Sequence, residues 1–154
     1  MFLSDVFLPE FIIMDLESED KDEVFEEMVS HFCTITKSGK REEILASLHE
    51  RESKMSTGVH AGIAIPHGKT SAVDRSYGVM GISRKGIDYD ALDGQPVYLV
   101  FMELAPPVEA EKHLHLLRRI AELLRNPQFY DDCIAAKGKK DVYEVLKKYE
   151  DIDE

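Results

Sequence analysis

The sequence predicts a single α/β domain in which a central mixed β-sheet is flanked by helices on both faces. Helical periodicity dominates the first and last parts of the 154 residues, whereas runs typical of strands lie between them. Helices that come before and after a sheet in sequence are expected to cover its two apolar faces. Hydrophobic residues make up 44% of the chain and charged residues 32%, which is ordinary for a globular domain able to bury a full core.

Two helices are predicted ahead of the strands. Residues 20–36 place apolar side chains at helical intervals after an acidic start, and residues 40–55 repeat the pattern. Gly39 separates the two segments, as expected at the end of a helix. The apolar face of the second helix is predicted to consist of Ile44, Leu45, Leu48 and Met55.

Two strands are predicted in the middle of the chain, at residues 77–83 and 96–104. The second run is almost continuously apolar, a pattern typical of a strand covered on both faces. Residues 88–94 are expected to form a hairpin or loop that turns at Asp93-Gly94. The order of the strands in the sheet does not follow from these patterns.

Three more helices are predicted after the strands, at residues 109–125, 128–136 and 140–149. Prolines precede the first of them and separate it from the second, where prolines are expected to break a helix. We expect the domain to span residues 1–150, followed by an acidic tail at 151–154. The acidic run that begins at Glu150 is expected to be frayed and solvated.

The charge balance argues against general nucleic-acid binding. Thirty acidic and 19 basic residues give a net charge of −11, whereas nucleic acid requires a basic surface. A protein partner would be expected to present a positive face. Cys33 is predicted to be a reduced, buried thiol. No secretory signal or bilayer-length apolar run is recognised, so we expect a cytoplasmic protein without direct membrane insertion.

A histidine at the end of a short apolar run is the first candidate for chemistry. Residues 56–67 read Ser-Thr-Gly-Val-His-Ala-Gly-Ile-Ala-Ile-Pro-His and end at His67. The glycines and the proline allow the backbone to approach a ligand closely, so His67 is well placed to act on one. The alternative is a loop histidine that bonds to the backbone. The residues after His67 match only the end of a P-loop motif, so a nucleotide site is not predicted.

Helix geometry predicts which way two further histidines face. At 100° per residue, His113 shares a face with Leu116 and Ile120, whereas His115 lies on the opposite, charged face. His113 is therefore expected to point toward the protein body, as either a structural or a functional residue. His115 is expected to point toward water.

Arg51 and Thr57 are the other polar candidates. Arg51 lies at the end of the apolar face of the second helix, and a guanidinium is rarely buried without an anionic partner. That partner is either a carboxylate at the rim, such as Glu52 or Asp90, or an anion bound in front of His67. The Thr57 hydroxyl either bonds to that anion or caps a turn.

These residues together resemble the signature of enzyme IIA domains. The domains are those of the fructose/mannitol type of the bacterial phosphoenolpyruvate-dependent sugar phosphotransferase system, including its nitrogen-regulatory branch. The similar segments are Arg51-Glu52, Ser56-Thr57-Gly58-Val59 and Gly62-Ile63-Ala64-Ile65-Pro66-His67. Gly86-Ile87-Asp88-Tyr89, Asp93-Gly94-Gln95-Pro96-Val97 and His113-Leu114 follow in the family's order, so the resemblance covers nearly the whole chain.

The resemblance implies that residues 1–150 form one type-2 enzyme IIA domain without a cofactor. It implies that His67 accepts a phosphoryl group from a phosphorylated histidine-carrier protein and passes it to an enzyme IIB. It also implies that His113, rather than His115, is the second active-site imidazole, and that Arg51 lies near the site. The implied fold, a mixed sheet between helices, agrees with the prediction from the pattern.

A phosphoryl group on His67 requires compensation of the charge on its oxygens. We expect this compensation without a metal ion, since no carboxylate set for magnesium is recognised. The expected donors are Arg51, the Thr57 hydroxyl, the His113 ring and backbone N–H groups around Gly58–Gly62.

Three functional alternatives follow. The slightly favoured one is a regulatory protein whose phosphorylation state controls a transporter or kinase, because the chain shows no fused enzyme IIB or membrane segment. The second is a sugar-uptake enzyme IIA that serves a fructose/mannitol-type permease. The third is a metal-dependent hydrolase using His60, His67 and His113, although their spacing matches no standard zinc motif. His60 replaces a glycine of the family, and it would strain the loop, titrate beside the site or lie on the surface.

Overall fold

A mixed β-sheet lies at the centre of the protein, as a computed structural model of residues 1–153 shows; the side chains of His60 and of residues 151–153 are not described. The strands are β1 (Ile12–Ile13), β2 (Gly58–His60), β3 (Ile63–Ala64), β4 (His67–Lys69), β5 (Tyr77–Ile87) and β6 (Val97–Ala105). The helices are α1 (Lys21–Thr36), α2 (Arg41–Glu52), α3 (Ala110–Leu123), α4 (Pro127–Ala135) and α5 (Lys139–Asp153).

The order of the strands is β1-β5-β6-β3-β2, and β4 also pairs with β6. β5 and β6 form an antiparallel pair, whereas β3 and β4 both run parallel to β6. The sheet is therefore mixed, as predicted. Because β3 and β4 pair with successive parts of the same strand, the chain between them carries His67 along one edge of β6.

The two faces of the sheet pack against different helices. Val100 and Met102 of β6 belong to the core shared with α1 and α2, whereas Leu99 and Phe101 belong to the core shared with α3, α4 and α5. Alternate residues of a strand point to opposite faces, so a strand buried on both sides must be apolar throughout. This explains the continuous apolar run and confirms the prediction of helices on both faces.

The predicted helix starts are close to those observed. Asp20 is the N-cap of α1, where its carboxylate accepts a hydrogen bond from Glu23 N at 2.9 Å. Asn126 caps α4 in the same way, directly before the proline that begins that helix. The predicted end of α2 was wrong, since the helix stops at Glu52 and Met55 is exposed instead of completing its apolar face.

Two expectations about individual residues were also wrong. Cys33 is only partly buried, and Cys133 is the fully buried thiol. Glu150 is not part of a frayed tail, because α5 continues past it and its side chain is 1% exposed. Its carboxylate accepts hydrogen bonds from the backbone N–H groups of Leu3 and Ser4, so it joins the last helix to the start of the chain.

None of the described helices is both long and apolar enough to cross a membrane.

Candidate active site

His67 lies at the edge of the sheet, between α2 and α3. It is the first residue of β4, and its register partner on β6 is Glu103. The next residue, Gly68, packs directly against α2, since a Cβ at position 68 would lie 2.4 Å from Ser47 Oγ. The absence of a side chain at Gly68 therefore lets the strand approach the helix that carries Arg51. This role of Gly68 was not anticipated from the sequence.

The His67 ring is half-buried and its tautomer follows from one contact. Nδ1 lies 2.8 Å from the carbonyl oxygen of Ile65. A carbonyl oxygen can only accept, so Nδ1 carries the hydrogen and donates it to Ile65. In the neutral ring Nε2 then holds the free lone pair. Burial lowers the pKa of His67, and the charges of Arg51 and His113 lower it further, although the bond to Ile65 opposes the shift.

His113 lies beside His67, as the helical face predicted. The two ring centroids are 5.5 Å apart, and the planes are tilted by 53°. His113 is 5% exposed, whereas His115 lies on the exposed side of α3. The structure thus brings together the two histidines that the sequence selected and leaves the third in solvent.

His113 has a neighbour that sequence reasoning missed. Its Nδ1 is 3.3 Å from Oε1 of Glu103, a carboxylate on β6 that is completely buried. Burial raises the pKa of the Glu103 carboxyl, and the adjacent His113 ring partly offsets this. A carboxylate in the middle of an apolar strand was the only signal in the sequence that could have drawn attention to it.

Arg51 reaches the same site from the last turn of α2. One of its nitrogens donates a hydrogen bond to the carbonyl oxygen of Met55 at 2.9 Å. Among the described residues, no carboxylate oxygen lies within 4.0 Å of the guanidinium. Glu52, the expected rim partner, instead bonds to Thr57 and pairs with Lys21 at 3.2 Å. Most of the donor capacity of Arg51 is therefore open to a ligand.

A cavity of about 340 Å³ connects these side chains. His67 and His113 line it together with three cationic side chains, those of Arg51, Lys54 and Lys69, and with one carboxylate, that of Glu50. Cations that outnumber anions around a neutral imidazole favour an anionic ligand. The two lysines were not recognised in the sequence, because exposed lysines carry no positional signal of their own.

Thr57 lies near the site, but its hydroxyl is turned to other partners. Oγ1 donates to Glu52 at 2.6 Å and is 2.8 Å from the Tyr89 hydroxyl, all within the protein interior. Thr57 lines a smaller cavity of about 190 Å³ that also borders Arg51 and His67. These bonds fix the turn after α2 and leave the Thr57 hydroxyl with partners inside the protein, so it is not a free donor.

Gly58 and Gly62 line neither of these cavities. A Cβ at Gly58 would lie 2.8 Å from the side chains of Ala91 and Tyr89, so this glycine permits close packing of β2. Gly62 has a φ of +84°, which turns the chain between β2 and β3. Val59, between these glycines, lines the smaller cavity together with His67, so the expectation that backbone N–H groups of this segment face the ligand stays a prediction.

The role of His60 lies outside what the structure describes, because its side chain is not among the described ones. Among the described side chains, no three of the types His, Cys, Asp and Glu are close enough together to hold a metal ion.

Comparison with known proteins identifies the family. Residues 5–149 match the sequence model of the phosphoenolpyruvate-dependent sugar phosphotransferase system, EIIA 2. The chain belongs to this family. The resemblance seen in the motif around His67 is thereby confirmed, and the chain is an enzyme IIA of the phosphotransferase-system family.

Relatives come from both branches of the enzyme IIA family. A nitrogen regulatory protein of Bradyrhizobium diazoefficiens is 34% identical over 146 residues, which are 95% of each chain. The fructose-specific EIIABC component of Bacillus subtilis is 32% identical over 150 residues, or 97% of this chain, which spans only 24% of that protein's length. The crystal structure of nitrogen regulatory protein IIA-Ntr from Neisseria meningitidis superposes with a TM-score of 0.86 at 27% identity and covers 94% of this chain and 98% of its own.

Proposed function

We propose that this protein is a phosphocarrier that becomes phosphorylated on Nε2 of His67. The phosphoryl group would come from a phosphorylated histidine-carrier protein and pass to an enzyme IIB or serve as a regulatory signal. The observation that carries the proposal is the 2.8 Å contact between Nδ1 of His67 and the Ile65 carbonyl oxygen. This contact fixes the hydrogen on Nδ1 and leaves Nε2 as the nucleophile.

The transfer itself is an in-line displacement at phosphorus. The Nε2 lone pair of His67 forms a new N–P bond while the P–N bond to the donor histidine breaks. The bonding electrons of that P–N bond return to the donor ring, and no proton needs to leave His67, since its only ring hydrogen stays on Nδ1. When the phosphoryl group passes to an enzyme IIB, a nucleophile of that protein forms the new bond to phosphorus, while the P–Nε2 bond of His67 breaks and its electrons return to the His67 ring.

Charge on the phosphoryl oxygens is compensated by fixed donors in this proposal. Arg51, Lys54 and Lys69 supply positive charge in the cavity, and the half-buried ring limits the access of water. His113, with its ring centroid 5.5 Å from that of His67, supplies a directional donor. Thr57 acts indirectly, by fixing the segment that follows Arg51.

Regulation is favoured over sugar uptake as the role of the phosphorylated protein. The TM-score of 0.86 with a nitrogen regulatory protein and the match over 95% of both chains with another support it. The 32% identity to part of a fructose-specific component keeps sugar uptake as the second candidate. Phosphoryl transfer to a panel of purified IIB proteins distinguishes the two, since an uptake component must discharge to at least one of them.

The experiment that tests the proposal is intact-mass spectrometry after incubation with phosphoenolpyruvate and the phosphorylated upstream proteins. Wild type should gain the mass of one phosphoryl group, and His67→Ala should gain none. His115→Ala is the matched control, because this exposed histidine lies on the same helix as His113 but outside the site. His113→Ala should still accept the group but pass it on slowly. Normal labelling of His67→Ala would overturn the assignment.

A further inference from the structure

A buried carboxylate, that of Glu103, lies next to the second candidate histidine, His113. Leu99 and Phe101 of β6 face the core under α3, and Glu103 continues this alternation toward the same helix. Its register partner across the strand pair is His67. Glu103 therefore lies next to both histidines, and it is not among the residues that line the 340 Å³ cavity.

Glu103 has no other partner within the described part of the chain. Its side chain is 0% exposed, and neither carboxylate oxygen has a hydrogen bond of good geometry there. His113 Nδ1 is likewise buried without a well-formed bond, and it lies 3.3 Å from Glu103 Oε1. A buried carboxyl group without a partner is costly, so a small rotation that aligns these two atoms is strongly favoured.

We propose that Glu103 is a positioning residue that holds a proton against Nδ1 of His113 and thereby keeps Nε2 of His113 a hydrogen-bond donor toward the phosphoryl group on His67. The inference rests on the phosphocarrier function proposed above. In the resting pair the proton is shared between Glu103 and Nδ1. When a dianion is formed on His67, the proton resides on Nδ1, which leaves Glu103 ionised and His113 as an imidazolium between two anions.

The number and positions of the protons on Glu103 and His113 explain why a carboxyl group is needed at position 103. The Glu103–His113 pair holds two protons in this proposal, one on Nε2 and one shared between Nδ1 and Glu103. When the shared proton is on Glu103, the neutral ring carries its hydrogen on Nε2, and when it is on Nδ1, the ring is an imidazolium with hydrogen on both nitrogens, so Nε2 can donate to a phosphoryl oxygen in either case. Without the carboxylate, the neutral ring is free to place its single hydrogen on either nitrogen. Several titratable and charged groups around His113 and the cavity affect where the shared proton lies. They are Glu103 of β6, His67 and Lys69 of β4, Glu50 and Arg51 of α2, and Lys54 just after α2.

The first test uses the unphosphorylated protein, so that it does not depend on the proposed function. The 15N chemical shifts of the His113 ring report which nitrogen carries hydrogen across a pH titration. In wild type, Nε2 should stay protonated through neutral pH. In Glu103→Gln, which cannot hold a shared proton against Nδ1, the two ring nitrogens should instead show the intermediate shifts of a mixture of tautomers. Glu111→Gln, at an exposed position of α3, is the matched control and should leave the ring shifts unchanged.

The second test follows phosphorylation of His67 by phosphoramidate, a small donor that needs no partner protein. At pH 7.5, Glu103→Gln should form the phosphohistidine about tenfold more slowly than wild type, because the hydrogen bond from Nε2 of His113 to the phosphoryl oxygens is weakened. Glu111→Gln should match wild type.

The outcomes separate this inference from the phosphocarrier function. If neither phosphoramidate nor the phosphorylated carrier labels wild type, the phosphocarrier function fails, and the 15N titration still decides the role of Glu103. If wild type is labelled but Glu103→Gln has the same rate and the same ring shifts, the positioning role is overturned. A wild-type spectrum with unprotonated Nε2 on His113 at neutral pH would overturn it as well, even if the variant does not fold.

Discussion

A single backbone contact determines the tautomer of the His67 ring. Because Nδ1 donates to Ile65, the free lone pair is on Nε2, the nitrogen proposed above as the nucleophile, and the half-buried ring stays neutral near pH 7. His67 and the inward face of His113 could be predicted from the sequence, since a glycine- and proline-framed histidine and a helical period are local signals. Glu103 could not be predicted as a neighbour of His113, because the continuously apolar run around it does not reveal which residues face α3.

Acid should inactivate His67 as an acceptor. Its pKa is lowered from 6.5, mainly by burial, so the neutral form prevails at pH 7 and the protonated form becomes the major one only below pH 6.5. An NMR titration of the ring should therefore give a midpoint below 6.5. The unfolded chain binds this proton more readily, so the contribution of His67 to stability is present near neutral pH and is lost as the pH falls through that window. A midpoint at or above 6.5 would contradict the assigned environment.

At the level of elements, the site depends on the short strand β4. Most helices were predicted within a few residues, because amphipathic periodicity and capping residues are local. β4 was missed since its three residues acquire strand geometry only by pairing with residues 103–105 of β6, which are distant in the sequence. Strand β5 was predicted too short, because Arg84 and Lys85, near its end, are charged and exposed and interrupt the apolar pattern before Ile87.

Gly68→Ala tests whether close packing of β4 on α2 positions the site. The new Cβ would lie 2.4 Å from Ser47 Oγ and 3.1 Å from the Ser47 backbone carbon, so strand and helix must separate. We expect a loss of about 1–3 kcal/mol in the free energy of unfolding, as for other overpacked sites, and slower labelling of His67. Urea denaturation measures the first effect.

Gly39→Ala is the control for this substitution. A Cβ at Gly39 would meet nothing within 4 Å, and the residue does not have a left-handed backbone. Equal unfolding free energies for the two variants would contradict the packing role of Gly68.

At the scale of the whole molecule, two cores on opposite faces of one sheet hold α2 and α3 at fixed positions on either side of β4. The mixed α/β class was predictable, because helices flank the strands in sequence. The strand order was not, since parallel pairing of β1 with β5 and of β3 and β4 with β6 is entirely non-local. The buried Glu150 was also missed, because an acidic residue at the end of a chain is usually solvated.

Glu150→Ala should destabilise the whole domain. Its buried carboxylate bonds to the backbone of Leu3 and Ser4 and lies 3.6 Å from Arg119 of α3, so its loss leaves a largely buried guanidinium unpaired. We expect a cost of about 3 kcal/mol by urea or thermal denaturation. Glu144→Ala, which removes an exposed carboxylate from the same helix, should cost no more than about 0.5 kcal/mol. A similar small cost for both variants would contradict the structural role of Glu150.

The most direct measurement is the position of the phosphorus atom in the phosphorylated protein. Protein carrying 15N-labelled histidine rings is phosphorylated by the phosphorylated carrier, and a nitrogen–phosphorus correlation spectrum identifies the bonded nitrogen. The phosphorus should be bonded to Nε2 of His67, with Nδ1 of the same ring still protonated toward Ile65. Phosphorus on Nδ1 of His67, or on any other side chain, would contradict the proposed phosphocarrier site.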